Sequence, residues 1–396
     1  MTPSAKRALA LAMLATAVAQ SFGRFTWALL LPAIEDDLLG SYGRAGTLGT
    51  ANVGAYLLGT AVVSGLSGRL SPTVLIRSGL VMSTTGLTIL TVANGFWTLL
   101  VGLVITGTGG AFIWIPAPGF AAAAMGPARR GFAMGFVSSG VGLGIFAAGQ
   151  ITNVVRLGLG SGSWRPVWAI EAAIGAVTLL AALRWLRDDP ASTGRTELRL
   201  GALRAVPGWG ALTLSYGAYG LGYSMYMNYL VAALEDDAGF SAGHASFVSA
   251  ALGVAIIFGG FILGRLADRH GRRLVLSLGQ ALMAGTAIAP LTGAEPFITP
   301  TAIMFGLLFS GIPALIAAKI SDHLEAGAFG AAFGAVTLAF GVGQVIGPQL
   351  GGWIAEASDH FDIVFVVSAA ALGLGAAAGW RLPADRSPAR QTSPSQ

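Results

Sequence analysis

Residues 131–150 read GFAMGFVSSGVGLGIFAAGQ, and residues 330–349 read GAAFGAVTLAFGVGQVIGPQ. Set in register, Gly131, Ala133, Gly135, Val137, Gly142, Gly144 and Gln150 recur as Gly330, Ala332, Gly334, Val336, Gly341, Gly343 and Gln349. Each run has about the 20 apolar and small residues that a helix needs to cross a bilayer. An offset of about 200 also relates LPAIEDD (31–37) to VAALEDD (231–237), and GRL (68–70) to GRL (264–266). Two parallel copies of one helical unit around a central cavity is a recurring transporter design.

The rest of the chain agrees. Of 396 residues, 54% are hydrophobic and 10% charged, against about 25% charged in an average soluble domain. So little charge could not cover a water-facing surface, so lipid is part of the solvent. Apolar segments lie near 8–31, 44–68, 73–92, 96–120, 131–155 and 165–186, then near 207–232, 243–265, 273–292, 299–318, 328–352 and 361–380. The fold class is an all-α membrane protein with twelve transmembrane helices in two pseudo-symmetric halves. Residues 1–186 form the first six-helix bundle and 207–382 the second. The hydrophilic stretch 187–206 is the linker, and 383–396, rich in Ser, Pro and Arg, reads as a disordered tail. The first segment is too long for a signal-peptide core and lacks a cleavage site.

Loop charge sets the orientation. With the N-terminus inside, nineteen Lys and Arg residues fall on the cytoplasmic side and only Arg44, Arg156 and Arg165 on the other. This positive-inside bias puts both termini in the cytoplasm of a bacterial inner membrane. It also accounts for the net charge of +5 without nucleic acid or another acidic partner. There is no cysteine, and His244, His270, His323 and His360 are scattered near predicted membrane edges. Neither a metal site nor a cofactor is expected. The chain has no phosphate loop and no catalytic constellation, which argues against an ATP-driven pump and against an enzyme.

GRLADRHGRR (264–273) resembles the signature loop of the major facilitator superfamily, and the resemblance extends over the whole chain. It implies that Asp268, Arg269, Arg272 and Arg273 form a charge-and-cap network that latches one state of a transport cycle. The first-half counterpart, GRLSPTVLIR (68–77), has Pro72 at the Asp position, so the latch is expected to be lopsided. LVGLVITGTGG (100–110) has Leu103 where proton-coupled antiporters of the family often carry Arg. GPQLGG (347–352) is similar to a glycine–proline element of the antiporter branches. FGRFTWALLLP (22–32) is similar to a bacterial branch labelled YbfB/YjiJ.

Arg24 is the most informative residue. It lies roughly 10 Å below the end of the first segment, at 1.5 Å per residue. An arginine near mid-bilayer costs at least about 2.5–3.5 kcal/mol, and such residues face a cavity or a partner. Gln20, Arg24 and Trp27 fall within about 60° on a regular helix. Organic-anion branches of the superfamily carry a substrate-binding Arg at the same spacing before a proline, here Pro32. Arg24 either holds an anion bidentately or is structural. Glu171 either pairs with Arg24, carries a coupling proton, or reaches interfacial water.

Tyr216, Tyr219, Tyr223 and Tyr226 form a stripe spanning about 80°. In the resembled fold, helices 1, 4, 7 and 10 line the cavity, so the stripe is either a substrate wall or interhelical packing. Trp114 is a further substrate candidate, because IWIPAPG (113–119) places helix-breaking prolines beside it. Asn52, Gln150 and Gln344 either touch substrate or join helices. The resulting expectation is a monomeric secondary transporter, embedded in the lipid bilayer, for a small-molecule substrate. That substrate is an organic anion, moved by alternating access with a coupling proton. The rival reading is a proton-driven efflux pump for hydrophobic compounds.

Overall fold

The computed structural model describes residues 3–67, 69–125, 129–187, 200–324 and 326–384. Within them the chain is helical, with no strand. We number twelve long helices: α1 (Ala5–Leu39), α2 (Tyr42–Leu66), α3 (Pro72–Thr91), α4 (Phe96–Met125), α5 (Arg130–Leu159), α6 (Arg165–Trp185), α7 (Trp209–Ala232), α8 (Ala242–His270), α9 (Arg272–Ala287), α10 (Glu295–Ser321), α11 (Ala326–Ser358) and α12 (Asp362–Trp380). Most of the predicted linker (188–199) and the tail from 385 fall outside the described residues. A short helix, Leu200–Leu203, packs on α11.

Helix is what lipid demands, because hydrocarbon offers no partner for a free peptide group. Ten of these helices are long and apolar enough to cross a membrane by length and composition. The other two, α2 and α7, are 25 and 24 residues long. They fall short on hydropathy because α2 carries Thr, Asn and Gly and α7 carries five tyrosines. Both lie at the seam between the halves, where α1 packs on α7, α2 on α11 and α5 on α8. The contact is close: a Cβ on Gly142 of α5 would stand 2.6 Å from the Gly253 carbonyl oxygen of α8.

The duplication extends to individual turns. After the first EDD, Gly40 takes a left-handed φ of 62°, and the Ser41 hydroxyl caps α2 by accepting from Arg44 N at 3.3 Å. After the second, Gly239 has φ 67° and Ser241 caps α8 by accepting from His244 N at 3.3 Å. Asp37 then accepts from Trp164 Nε1 at 3.1 Å and pairs with Arg165 at 2.8 Å, tying its turn to the start of α6. Asp237 accepts from Phe361 N at 2.7 Å and does the same for α12.

At the opposite end lies the signature loop. Arg272 pairs with Asp322, just past α10, at 2.7 Å, while Asp268 and Arg269 are exposed. Arg273 donates to the Trp380 carbonyl at 2.6 Å, capping the end of α12. Arg77, its repeat partner, donates to the carbonyls of Ala182, Leu183 and Leu186 at the end of α6, at 3.3, 3.2 and 2.5 Å. The capping half of the device is therefore duplicated, despite Pro72. A guanidinium at a helix C-terminus meets carbonyls that have no intrahelical donor.

The hydrogen bonds and ion pairs that join the halves, among the described residues, run from the level of Arg24 to the EDD end. Arg156 pairs with Glu235 at 2.6 Å, and the Tyr42 hydroxyl donates to Asp236. Gly43 N donates to Glu356 at 3.1 Å, and Gln349 Nε2 donates to the Gly43 carbonyl at 3.2 Å. Thr50 Oγ1 donates to the Val345 carbonyl at 2.8 Å. The molecule is closed at that end.

Candidate functional site

Helix α1 is not the continuous segment its hydropathy predicts. An α-helix over Pro3–Thr16 passes into a π-turn at Ala17–Phe22, breaks at Gly23 and Arg24, and resumes as α-helix over Phe25–Ile34. Arg24 sits at the break with φ −131° and ψ −55°. Two polar side chains brace it. Asn52 Nδ2 donates to the Gly23 carbonyl at 3.2 Å and to the Leu103 carbonyl at 2.7 Å. Thr106 Oγ1 stands 3.3 Å from the same Gly23 oxygen. Irregular backbone at membrane depth survives where neighbouring helices supply such partners or where it lines a cavity. Interrupted helices mark the substrate sites of many secondary transporters.

The break aims Arg24 across the seam. Its Nη2 donates to the Tyr223 hydroxyl of α7 at 2.9 Å. The Gln344 amide of α11 is placed with its oxygen toward both groups, since the other orientation would set its NH₂ against donors. Gln344 then accepts from both Arg24 Nη atoms, from Nη1 at 3.2 Å, and from the Tyr223 hydroxyl. The guanidinium carbon also lies 5.5 Å from the Phe25 ring centroid and 5.9 Å from that of Tyr56. Every partner is neutral. Among the described residues no carboxylate lies within ion-pair distance of Arg24.

Three of the four predicted tyrosines act as one wall. Tyr216, Tyr219 and Tyr223 stack along α7, and all three stack on Phe340 of α11 at 4.6, 5.8 and 5.7 Å. Phe309 of α10 closes the edge, 5.0 Å from Tyr223 and 6.2 Å from Phe25 of the other half. Its carbonyl accepts from the Tyr219 hydroxyl at 2.7 Å. Tyr226 turns aside to stack on Phe305 at 3.8 Å. In this conformation the four tyrosines are buried, while Phe309 and Phe340 are half-buried.

Among the described residues, Gln20 and Trp27 make no hydrogen bond to Arg24. Gln20 Nε2 donates to the Gly110 carbonyl of α4 at 3.2 Å, and Trp27 packs against Gly49 of α2. The count of about 100° per residue fails across a π-turn and a break. Nor does Arg24 meet Glu171. Two residues on, Thr26 Oγ1 donates to Glu171 Oε1 at 2.6 Å. Trp114, half-buried, ends the first part of α4, and helix resumes at Ala117. That is the interruption its prolines predict.

Gln344, Phe340, Phe309 and Tyr56 complete the constellation. Gln344 had a readable signal: the repeat places it opposite Ile145, so one copy has a polar group where the other has a hydrocarbon. The aromatic residues had none, because a buried ring looks the same in sequence whether it packs or binds.

The fold, the duplicated halves and the charged break within α1 mark a transporter of the major facilitator superfamily, and not an enzyme. Residues 16–379 match the family described as "Uncharacterised MFS-type transporter YbfB", and the chain belongs to it. It is 28% identical over 333 residues to the "Probable sulfoacetate transporter SauU" of Cupriavidus necator, covering 73% of this chain and 74% of that one. It is 22% identical to Monocarboxylate transporter 13 of Rattus norvegicus, over 92% of this chain and 85% of that one. The crystal structure of a bacterial homologue of the human lysosomal transporter Spinster, inward-facing and unoccupied, superposes with a TM-score of 0.75. It covers 96% of this chain and 97% of that one at 16% identity, which shows the shared fold.

Proposed function

We propose that this chain moves a small organic anion across the bacterial inner membrane by alternating access, using a proton gradient. The carrying observation is Arg24, a mid-membrane guanidinium whose partners among the described residues are all neutral. A carboxylate, sulfonate or phosphate supplies the missing charge, and a planar fork suits each of them. Because Arg24 lies on one half and Tyr223 and Gln344 on the other, an anion there replaces bonds that join the halves. Substrate occupancy is thereby tied to the rocking motion. The relatives named for sulfoacetate and monocarboxylates support the same class.

With the termini cytoplasmic, as the positive-inside bias indicates, the closed EDD end faces outward. In this reading Asp268 and Arg269, exposed here, engage the first half when the cytoplasmic end closes. A monomer suffices, since both halves of the site come from one chain. The rival reading, efflux of hydrophobic compounds, draws on the aromatic wall of Tyr216, Tyr219, Tyr223 and Phe340.

Ligand-dependent thermal shift on purified protein separates the two. A ligand that binds only the folded state adds about 2.7 kcal/mol of stability at a hundred times its Kd. Stabilisation of wild type but not Arg24→Gln by carboxylates or sulfonates is the expected result. Equal stabilisation of both proteins by lipophilic cations or neutral drugs would move the efflux reading into the lead.

A further inference from the structure

We infer that Glu171 is a proton-binding site, held behind α1 on the side away from the cavity and linked to the Arg24 site through Thr26. The inference rests on the transporter reading for its link to the Arg24 cycle, and on geometry alone for the site itself. Glu171 is wholly buried in α6, at 0% exposure. One carboxyl oxygen receives the Thr26 hydroxyl at 2.6 Å, and the other, Oε2, is buried without a partner. Thr84 Oγ1 of α3, which faces Gly175 one turn along α6, is also buried and unpartnered.

Among the described residues, no cation compensates a charge here. Helix α6 packs on α3, α1 and α5, and the basic groups described on these helices are engaged elsewhere or exposed. Arg24 meets Tyr223 and Gln344, Arg77 caps the far end of α6, and Arg156 pairs with Glu235. Arg165 pairs with Asp37, while Lys6, Arg7 and Arg184 are exposed. An ionised carboxylate left without a cation in such a place is a heavily penalised species, whereas the neutral acid loses only a hydrogen bond. Glu171 therefore carries a proton on Oε2 in this conformation. It releases that proton to water only when the seam between α1, α3 and α6 opens.

Thr26 makes this more than a local matter. It is the second residue of the α-helix that restarts after Arg24. A movement that withdraws Thr26 from Glu171 also displaces the base of Arg24. Proton binding and the position of the Arg24 segment are then linked, and linkage is reciprocal. Acid should favour the conformation described here, and release of the proton should accompany departure from it.

The test compares wild type with Glu171→Gln, a neutral side chain of similar size. Infrared difference spectra of the purified protein read the C=O stretch of a protonated carboxyl, with no need for a ligand. In liposomes, lactate and sulfoacetate are followed in two modes: exchange at equal pH, and accumulation driven by a pH gradient. The expected result is loss of a protonated-carboxyl band in Glu171→Gln, near-wild-type exchange, and at least a tenfold loss of gradient-driven accumulation. A band unchanged in Glu171→Gln, or wild-type pH dependence of accumulation, would overturn the assignment. If neither probe is transported by wild type, the anion reading fails while the infrared comparison still decides the proton site. Should Glu171→Gln not fold, Thr26→Val keeps the acid and removes its donor. The carboxyl band must then shift to higher frequency, and an unshifted band would sink the link to α1.

Discussion

Arg156 and Glu235 form a bidentate ion pair across the seam between the halves, with Nη1–Oε1 at 2.6 Å and Nη2–Oε2 at 2.7 Å. Their side chains are 2% and 11% exposed. Removing one partner of a buried pair costs about 3–5 kcal/mol, because the other charge is stranded. Arg156→Gln should therefore open the EDD end. The chain has no native cysteine, so an introduced pair reads the seam cleanly. Positions 153 and 243 face each other there: a Cβ on Gly243 would lie 2.9 Å from Asn153 Oδ1. Cross-linking between cysteines at those sites should fall several-fold in Arg156→Gln. An unchanged yield would show that α5–α8 packing closes this end without the pair.

Gly142→Val should act on the same seam by steric exclusion. A Cβ at 142 would meet the Gly253 carbonyl oxygen at 2.6 Å and Ile257 N at 3.0 Å, both backbone atoms that cannot yield locally. The variant should fold within each half but fail to close the EDD end. Its readouts are loss of the 153–243 cross-link and stalled transport.

Arg24→Lys should not rescue anion binding. Lysine keeps the charge but loses the planar fork. Loss of a charge-assisted bond costs about 1.5–3 kcal/mol, or roughly 10- to 100-fold in affinity. Binding of a stabilising anion, measured by calorimetry, should weaken by at least the lower figure. Wild-type affinity in the Arg24→Lys variant would mean that a point charge suffices.

Asn52→Leu removes a donor from the Gly23 and Leu103 carbonyls at once. Thr106 Oγ1 remains near both oxygens, so the loss is of hydrogen bonds worth about 0.5–1.5 kcal/mol each, and the melting temperature should drop measurably. If the brace holds the Arg24 segment in register, anion-dependent stabilisation should fall as well. A drop in melting temperature alone would assign Asn52 a purely structural role.

The EDD end should also respond to pH. Desolvation raises the Asp236 carboxyl above the usual carboxylate range, with the Asp237 and Asp36 charges adding to it and the Tyr42 hydroxyl and Arg156 opposing. A carboxyl raised in the folded state binds protons more readily there than in the unfolded chain. Its contribution is present below the ordinary aspartate value and is lost as pH rises through the raised one. Thermal stability should fall over that acidic window on raising pH, and Asp236→Asn should flatten the profile. A profile unchanged by the substitution would place the titration on another group.

Much of the architecture was legible because the bilayer reduces the grammar to helix and loop. Segment lengths, the six-and-six division and the repeat all survive as patterns of apolar and small residues. The sequence pattern stops being a guide where regular geometry stops. Gln20, Arg24 and Trp27 share a face only on an unbroken helix, and α1 is broken at Gly23 and Arg24. Pro72 at the Asp position pointed to a lopsided latch, and sequence did not show that Arg77, at the repeat position of Arg273, caps α6.

Composition and the spacing of apolar residues already say that this chain lives in lipid, that it is a duplicated bundle, and that Arg24 is a charge in need of a reason. Those conclusions depend on composition and periodicity, which do not change when the chain folds. Which partners Arg24 and Glu171 take depends on how the helices pack. They lie 147 positions apart in the chain, and an ion pair was one of three roles open to Glu171. The path of α1 sends Arg24 across the seam to Tyr223 and Gln344, and turns Thr26, two residues later, back to Glu171. Which face of a helix a residue occupies depends on local winding, and winding is set by neighbours such as Asn52 and Thr106 that sequence distance conceals.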